Sequence, residues 1–308
     1  MVPSSRSTRR LRCTSSCSNC NCAQVKEADT LGIYARNFDD IWDTHWALRG
    51  QVPPAAPAAE GDDSPPDTSL PNGLDHPPRI AVWHHQGWED IEPASEAAME
   101  EATALLRSLG ATVEEITLPP DFDDICDQHQ LILHDGLAQG LAGKGGEERD
   151  ESYKIVGDLY HEYTWHGHST HPQMTENLME MIDSGLTEDA ALVEAAYAKM
   201  KRCREAFNAV LDDGEWDAFL TPTGPGEAPV GRHTGNAIFC TPWSFLGTPS
   251  AAVPGFKGPA GLPVGVQFNG RIGGDETVLA LAKWLHGQVN LTRPSPPTGA
   301  RAATAPKL

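Results

Sequence analysis

Asp217-Ala-Phe-Leu-Thr-Pro-Thr223, Thr234-Gly-Asn-Ala-Ile-Phe-Cys-Thr-Pro-Trp-Ser-Phe-Leu-Gly-Thr-Pro249 and Gly261-Leu-Pro-Val-Gly-Val-Gln-Phe-Asn-Gly270 follow one another between Trp216 and Gly270. The first and last are short apolar runs bounded by Pro and Gly, the pattern of buried strands that turn abruptly into loops. On the same pattern, the whole stretch is expected to contribute three strands. Loops that leave such strands are where binding groups usually sit.

Further out, Arg79-Ile-Ala-Val-Trp83 reads as a short buried strand and Thr112 to Leu118 as another. Between them, Pro93 to Leu109 is alanine-rich, with Ala98, Ala102, Leu105, Leu106 and Leu109 on one helical face. Pro93 suits its first turn and Gly110 its C-terminal cap. Strand, helix and strand with short connections predict a right-handed parallel unit, and hence an α/β fold.

Asn37 predicts a helix start ahead of Phe38, Ile41, Trp42, Ala47 and Leu48, with Asp39 and Asp40 in the favourable first turn. Thr187 is read as the cap of a long helix whose stripe is Leu192, Ala196, Met200, Cys203, Phe207 and Val210. Asp275 to Gly287 predicts a closing helix with Val278, Leu281, Ala282 and Leu285 inward.

Residues 51–78 hold eight prolines and two glycines, which neither helix nor strand tolerates, so they read as a linker or long surface loop. Residues 1–28 read as a disordered basic tail and 291–308 as a second disordered tail, leaving a single domain over 29–290. The Arg-rich start also matches a transit peptide in composition, although it has no amphipathic period.

The 308 residues are 39% hydrophobic, enough for a substantial core, and carry a net charge of -20. Arg6, Arg9, Arg10, Arg12 and Lys26 all lie within residues 1–26, which hold no acid, leaving 18 basic residues against 43 acidic ones elsewhere. A body this acidic repels nucleic-acid phosphates, so nucleic acid is not an expected partner. No stretch approaches the roughly 18 apolar residues that a membrane-spanning helix requires. The seven cysteines form no disulfide framework of the secreted kind, which points to a reducing, cytoplasmic setting. Cys203 and Cys240 read as buried thiols, whereas Cys126 is placed outside the core.

Two clusters raise metal chemistry. Cys13-x3-Cys17-x2-Cys20 has the spacing by which radical enzymes hold an iron-sulfur cluster, but its polar surroundings cannot build the ordered pocket a cluster needs. His161, His166, His168 and His171 lack the helical spacing of a zinc site, and Gly167 interrupts any helix there. Neither is assigned a metal, and no cofactor is expected. His84 and His85 read as strand-end residues. Glu100-Glu101 and Asp123-Asp124 read as solvated faces.

Taken together in order, Asp29-Thr-Leu-Gly-Ile-Tyr-Ala-Arg36, Arg79-Ile-Ala-Val82, Leu109-Gly-Ala-Thr-Val113 and the three segments quoted first resemble the amidase signature family, over roughly residues 29 to 290. The resemblance implies a mixed, mostly parallel β-sheet flanked by helices, and hydrolysis of amide carbon-nitrogen bonds in small molecules. It also implies a triad in which a neutral Lys draws a proton through a bridging Ser, in a cis peptide, from a nucleophilic Ser. A glycine-rich loop around those serines supplies N–H donors to the oxyanion. In the family these parts precede the turn matched by Asp29 to Gly32, so the catalytic Ser is expected upstream of Met1. No catalytic residue is therefore assigned within the chain.

What remains is expected to shape the substrate pocket: Thr234, Asn236, Phe239, Trp243 and Ser244. For Phe239 and Trp243, ordinary core packing is the favoured alternative. Relatives with an Asp-Ile-Phe-Thr version of this loop use the acid to hold a substrate amino group, whereas the aligned residue here is Ala237. Gly247, Pro249, Gly265 and Gln267 are expected to set turns and strand ends. The expected partners are a small-molecule amide and another polypeptide supplying the missing half. The reading alongside is a non-catalytic binding module, and a third is an enzyme using Cys240 or Ser244 as nucleophile. With half the family's sheet missing, the chain is expected to be poorly stable and prone to aggregate.

Overall fold

A computed structural model describes residues 32–50, 74–142, 176–230 and 235–292. They fall into two compact units, Met1–Pro65 with Asp127–Lys201 and Pro66–Cys126 with Arg202–Leu308. The single domain expected over 29–290 spans both.

The second unit holds the five-stranded sheet, in the order β2-β1-β3-β5-β4. Its strands are β1 (Arg79–Trp83), β2 (Thr112–Ile116), β3 (Ala218–Pro222), β4 (Ser250–Lys257) and β5 (Pro263–Gly270). β1 pairs in parallel with β2 and with β3, whereas β5 is antiparallel to both β3 and β4. Four strands therefore run in one direction and β5 alone is reversed, which is the mixed, mostly parallel sheet expected. β3 is buried along its whole length, as its unbroken apolar run predicts for a central strand. Of the two outer strands, β2 exposes Glu114 and Glu115, and β4 is bulged between Pro254 and Phe256.

β1, helix α2 (Pro93–Ser108) and β2 build the parallel unit, with Pro93 in the first turn and Gly110 just past the end. The inward face of α2 is Ala94, Ser95, Ala98, Met99, Ala102 and Leu106. Leu105 and Leu109, expected inward, are only half-buried, because the stripe is centred one row away, on Ser95 and Met99. Ile80, Leu106, Phe207, Phe219, Phe268 and Leu281 are essentially solvent-free. Burying each of these side chains contributes about 1.5–3 kcal/mol.

Among the described residues seven α-helices occur, the others being α1 (Phe38–Leu48), α3 (Ile125–Leu137), α4 (Glu176–Thr187), α5 (Ala190–Gly214), α6 (Thr241–Leu246) and α7 (Asp275–Thr292). In α1 the side chain of Asn37 accepts from the Asp40 amide at 2.8 Å, the predicted cap. In the first unit α4 lies close against α3: a Cβ added at Gly185 would collide with the His134 carbonyl. α7 runs five residues beyond the expected end at Gly287 and buries Val289 in addition to the predicted face.

Three expectations are corrected. Thr187 does not cap α5; it closes α4, donating its hydroxyl to the Ser184 carbonyl at 2.9 Å. The cap of α5 is Asp189, which accepts from the Ala191 amide at 2.8 Å. The stripe of α5 is consequently Val193, Ala196, Met200, Cys203, Phe207 and Leu211, while Leu192 is 55% exposed. The middle segment of the 216–270 region is not a strand. It carries α6, and the third strand of the region is β4, downstream. Pro242 occupies the first turn of that helix, a position that suits its missing N–H but is fatal to a central strand.

Cys126 is buried rather than outside the core, and Cys240, expected to be buried, is exposed. Cys126 sits at the start of α3, where its amide donates to the Gln86 side chain at 3.1 Å.

Candidate functional site

Beyond Pro222 the chain leaves the sheet as Thr223-Gly-Pro-Gly-Glu227, and this loop is fastened from three sides. The Thr223 amide and hydroxyl both donate to the Gly265 carbonyl at 3.1 Å. From the start of α2, the Glu92 amide donates to Pro225 O and the Ser95 hydroxyl to Gly224 O, each at 2.8 Å. Glu227 in turn accepts the amides of Ala260 and Leu262 at 3.1 and 2.9 Å, pinning the turn between β4 and β5.

Beneath the loop lies a buried polar network. The Thr221 hydroxyl accepts from Gln267 Nε2 and Asn269 Nδ2, both at 3.2 Å, and Ser250 donates to Asn269 Oδ1 at 2.7 Å. Gln267 Nε2 also donates to the Phe239 carbonyl at 2.8 Å. These partners satisfy polar groups that would otherwise be costly to bury. Gln267 thus ties the 235–240 loop to the sheet, the fixing role expected of it.

α6 is held at its far end. Arg204 donates Nε to Phe245 O at 2.7 Å and Nη2 to Ser244 O at 3.3 Å, both carbonyls of the last helical turn. Gly247 then closes α6 at φ 69°, a left-handed conformation that a side chain resists.

The predicted pocket residues divide sharply. Phe239 and Trp243 are packed in the core, at 0% and 2% exposed. Asn236 is exposed, with Oδ1 accepting the Ile238 amide at 3.0 Å and Nδ2 donating to Asp90 at 3.2 Å. Ser244 is half-buried and Ala237 exposed. Thr234 and the His161–His171 cluster lie outside the described residues.

Phe239 and Trp243 pack with residues that follow β1. His85 meets Trp83 at 5.4 Å between ring centroids, Phe239 at 5.3 Å and Trp243 at 6.4 Å, while Trp88 meets Phe239 at 5.9 Å. His85 is no ordinary strand-end residue. It is 5% exposed, and its Nδ1 accepts the Gly87 amide at 3.0 Å. Burial, reinforced by the neighbouring His84, lowers its pKa to about 4, so the ring is neutral at pH 7. Acceptance at Nδ1 assigns the single ring proton to Nε2. Among the described residues, His85 Nε2, Trp88 Nε1 and Trp243 Nε1 are all buried without a hydrogen-bond partner. Each such orphan costs about 1–3 kcal/mol. Polarity beside a strand end hid His85 in the sequence.

Cys240 fares poorly as a nucleophile. Although Cys240 as a whole is exposed, its sulfur turns inward to the Thr223 carbonyl at 3.9 Å, and the burial of that sulfur raises the thiol pKa, opposite to activation. Ser95, Ser108 and Ser250 donate to Gly224, Leu105 and Asn269 oxygens rather than to a base. A separate cleft of about 360 Å³ lies at the ends of β1 and β2, between His84, Glu115 and Asp123. It includes none of the predicted site residues. Among the described residues no group of three His, Cys, Asp or Glu is placed to hold a metal ion.

Similarity to known proteins extends over most of the chain. It is 28% identical to the A subunit of glutamyl-tRNA(Gln) amidotransferase from Geobacter sp. (strain M21) over 209 residues, 63% of this chain and 41% of that protein. The corresponding protein of Latilactobacillus sakei is 26% identical over 274 residues, 83% of this chain and 54% of that one. Among solved structures, 6-aminohexanoate cyclic dimer hydrolase has a TM-score of 0.58 at 19% identity, over 88% of this chain and 58% of that one. Native peptide amidase from Stenotrophomonas maltophilia has a TM-score of 0.55 at 19% identity, over 83% of this chain and 52% of that one. The structural likenesses show the fold, and the chain spans about half the length of the proteins it matches. The model of the family described as Amidase matches residues 11–279, and the chain belongs to that family.

Proposed function

We propose that this chain supplies the substrate-binding wall of an amide-hydrolysing site and does not itself turn over amides. The observation that carries this reading is the fastening of the 223–227 loop and of α6, beside which the Ser95 and Ser250 hydroxyls donate to oxygens and not to a base. Family membership supports an amide as the substrate class. Two relatives bear the name of an amidotransferase subunit, which supports a partner polypeptide. The candidate pocket residues remain Thr234, Asn236, Phe239, Trp243 and Ser244. The free thiols Cys126, Cys203 and Cys240 accord with a reducing, cytoplasmic setting. Among the described residues no helix is long and apolar enough to cross a membrane.

The orphaned N–H groups of His85, Trp88 and Trp243 favour a second reading, a module that binds an amide ligand without any catalytic partner. One experiment separates the two. The purified chain is assayed against chromogenic anilides alone, and again with a polypeptide carrying the upstream half of an amidase. Turnover only in the mixture supports the split site, binding without turnover in either supports the module, and turnover by the chain alone overturns both.

A further inference from the structure

β1 lies between β2 and β3, and the chain passes from β1 to β2 on one side before crossing to β3 on the other. In open α/β sheets, such a reversal is where ligands bind, outside the C-terminal ends of the two diverging strands. The segment leaving β1 here is His84 to Trp88, and the segment leaving β3 is Thr223 to Gly226. Orphaned donors concentrate at the same place. His85 Nε2, Trp88 Nε1 and Trp243 Nε1 belong to one aromatic cluster around Phe239, and none has a partner among the described residues.

The chemistry of this set is one-sided. An indole nitrogen only donates, and the Gly87 amide bonded to His85 Nδ1 leaves Nε2 as a donor too. N–H donors without acceptors among them disfavour a cation and favour an oxygen acceptor. Acids decide which acceptor. The segment after β1 continues through Glu89, Asp90 and Glu92, and these repel an anion more than a neutral group. The Phe239 carbonyl accepts from Gln267 Nε2 and is bonded to none of the three donors.

We propose that the ends of β1 and β3 form a recognition site for the carbonyl oxygen of a neutral amide, held by His85 Nε2–H and Trp243 Nε1–H, with Trp88 at its margin. This rests on the amide-binding reading above and adds the residues and the atom recognised. It also makes His85 a specificity determinant, because a side chain without a donor there would leave Trp243 alone to favour an amide over a hydrocarbon.

The test uses the full chain labelled with ¹⁵N in its tryptophans, with the Trp243 indole signal assigned by its loss in Trp243→Phe. Benzamide, benzoate and benzylamine are titrated separately, and ligand binding is followed independently by saturation transfer. The expected result is a saturable shift of the Trp243 signal by benzamide, a weaker one by benzoate and none by benzylamine. His85→Phe is expected to weaken benzamide binding about tenfold, the equivalent of one good hydrogen bond, and His85→Gln, which keeps a donor, to recover part of it. Benzamide bound with the Trp243 signal unmoved overturns this site, its donors then meeting water only, and leaves the amide-binding reading intact. No benzamide binding at all overturns both. Should His85→Phe fail to fold, the wild-type titration decides alone.

Discussion

Gln267 on β5 and Phe239 in the loop before α6 are joined by a side-chain to main-chain hydrogen bond of 2.8 Å, buried at both ends. Replacing Gln267 by Leu leaves the Phe239 carbonyl and the Thr221 hydroxyl short of a donor. The expected cost is about 1–3 kcal/mol in urea unfolding. A change within a few tenths would show that the loop is not fastened through this bond.

Stability is expected to depend on pH through His85. Its pKa falls from 6.5 unfolded to about 4 folded, so between these values the unfolded chain binds more protons. The contribution is fully present above pH 6.5 and is lost as pH drops toward 4. Burial lowers His134 and His286 in the same direction. Urea midpoints measured across this range in the wild type and in His85→Phe check the assignment, the variant showing the shallower slope.

Gly247 closes α6 in a left-handed conformation, which costs a residue bearing a Cβ about 1–2 kcal/mol. Gly247→Ala is therefore expected to lower the unfolding free energy by about that amount. Gly224→Ala, in the loop fastened by Ser95, meets open space and is expected to cost less. Equal losses in the two variants would place the strain elsewhere.

Cys240 is expected to react slowly despite its exposure. Its raised pKa lowers the thiolate fraction at pH 7, and the thiolate is the attacking species. Iodoacetamide labelling followed by mass spectrometry is expected to run slower at Cys240 than at the cysteine of an unstructured peptide. Faster labelling would revive the cysteine as a nucleophile.

Much of the sheet was legible in the sequence because its punctuation is physical. Pro93 and Gly110 bracket α2 where each residue's backbone preference is strongest, and β3 is an apolar run too short for a helix. α6 escaped notice because six residues, Thr-Pro-Trp-Ser-Phe-Leu, are too few to display a helical period. The start of α5 was misplaced because Thr187 and Asp189 both have capping side chains, and only the geometry distinguishes which amide each can reach. Phe239 and Trp243 were recognisable as positions, but their company was not. The His85 ring that joins them comes from a distant part of the chain, and its burial is a property of tertiary packing rather than of its neighbours in sequence.

The two margins of the sheet have a bearing on assembly. Pro254 has no N–H to offer a newcomer, the adjacent bulge bends β4 out of register, and Glu114 and Glu115 place negative charge along β2. Each of these discourages a foreign strand from docking edge to edge. A polypeptide that joins this one would therefore approach the loops at the strand ends or the faces of the sheet, and it would meet the chain without lengthening its ladder of hydrogen bonds.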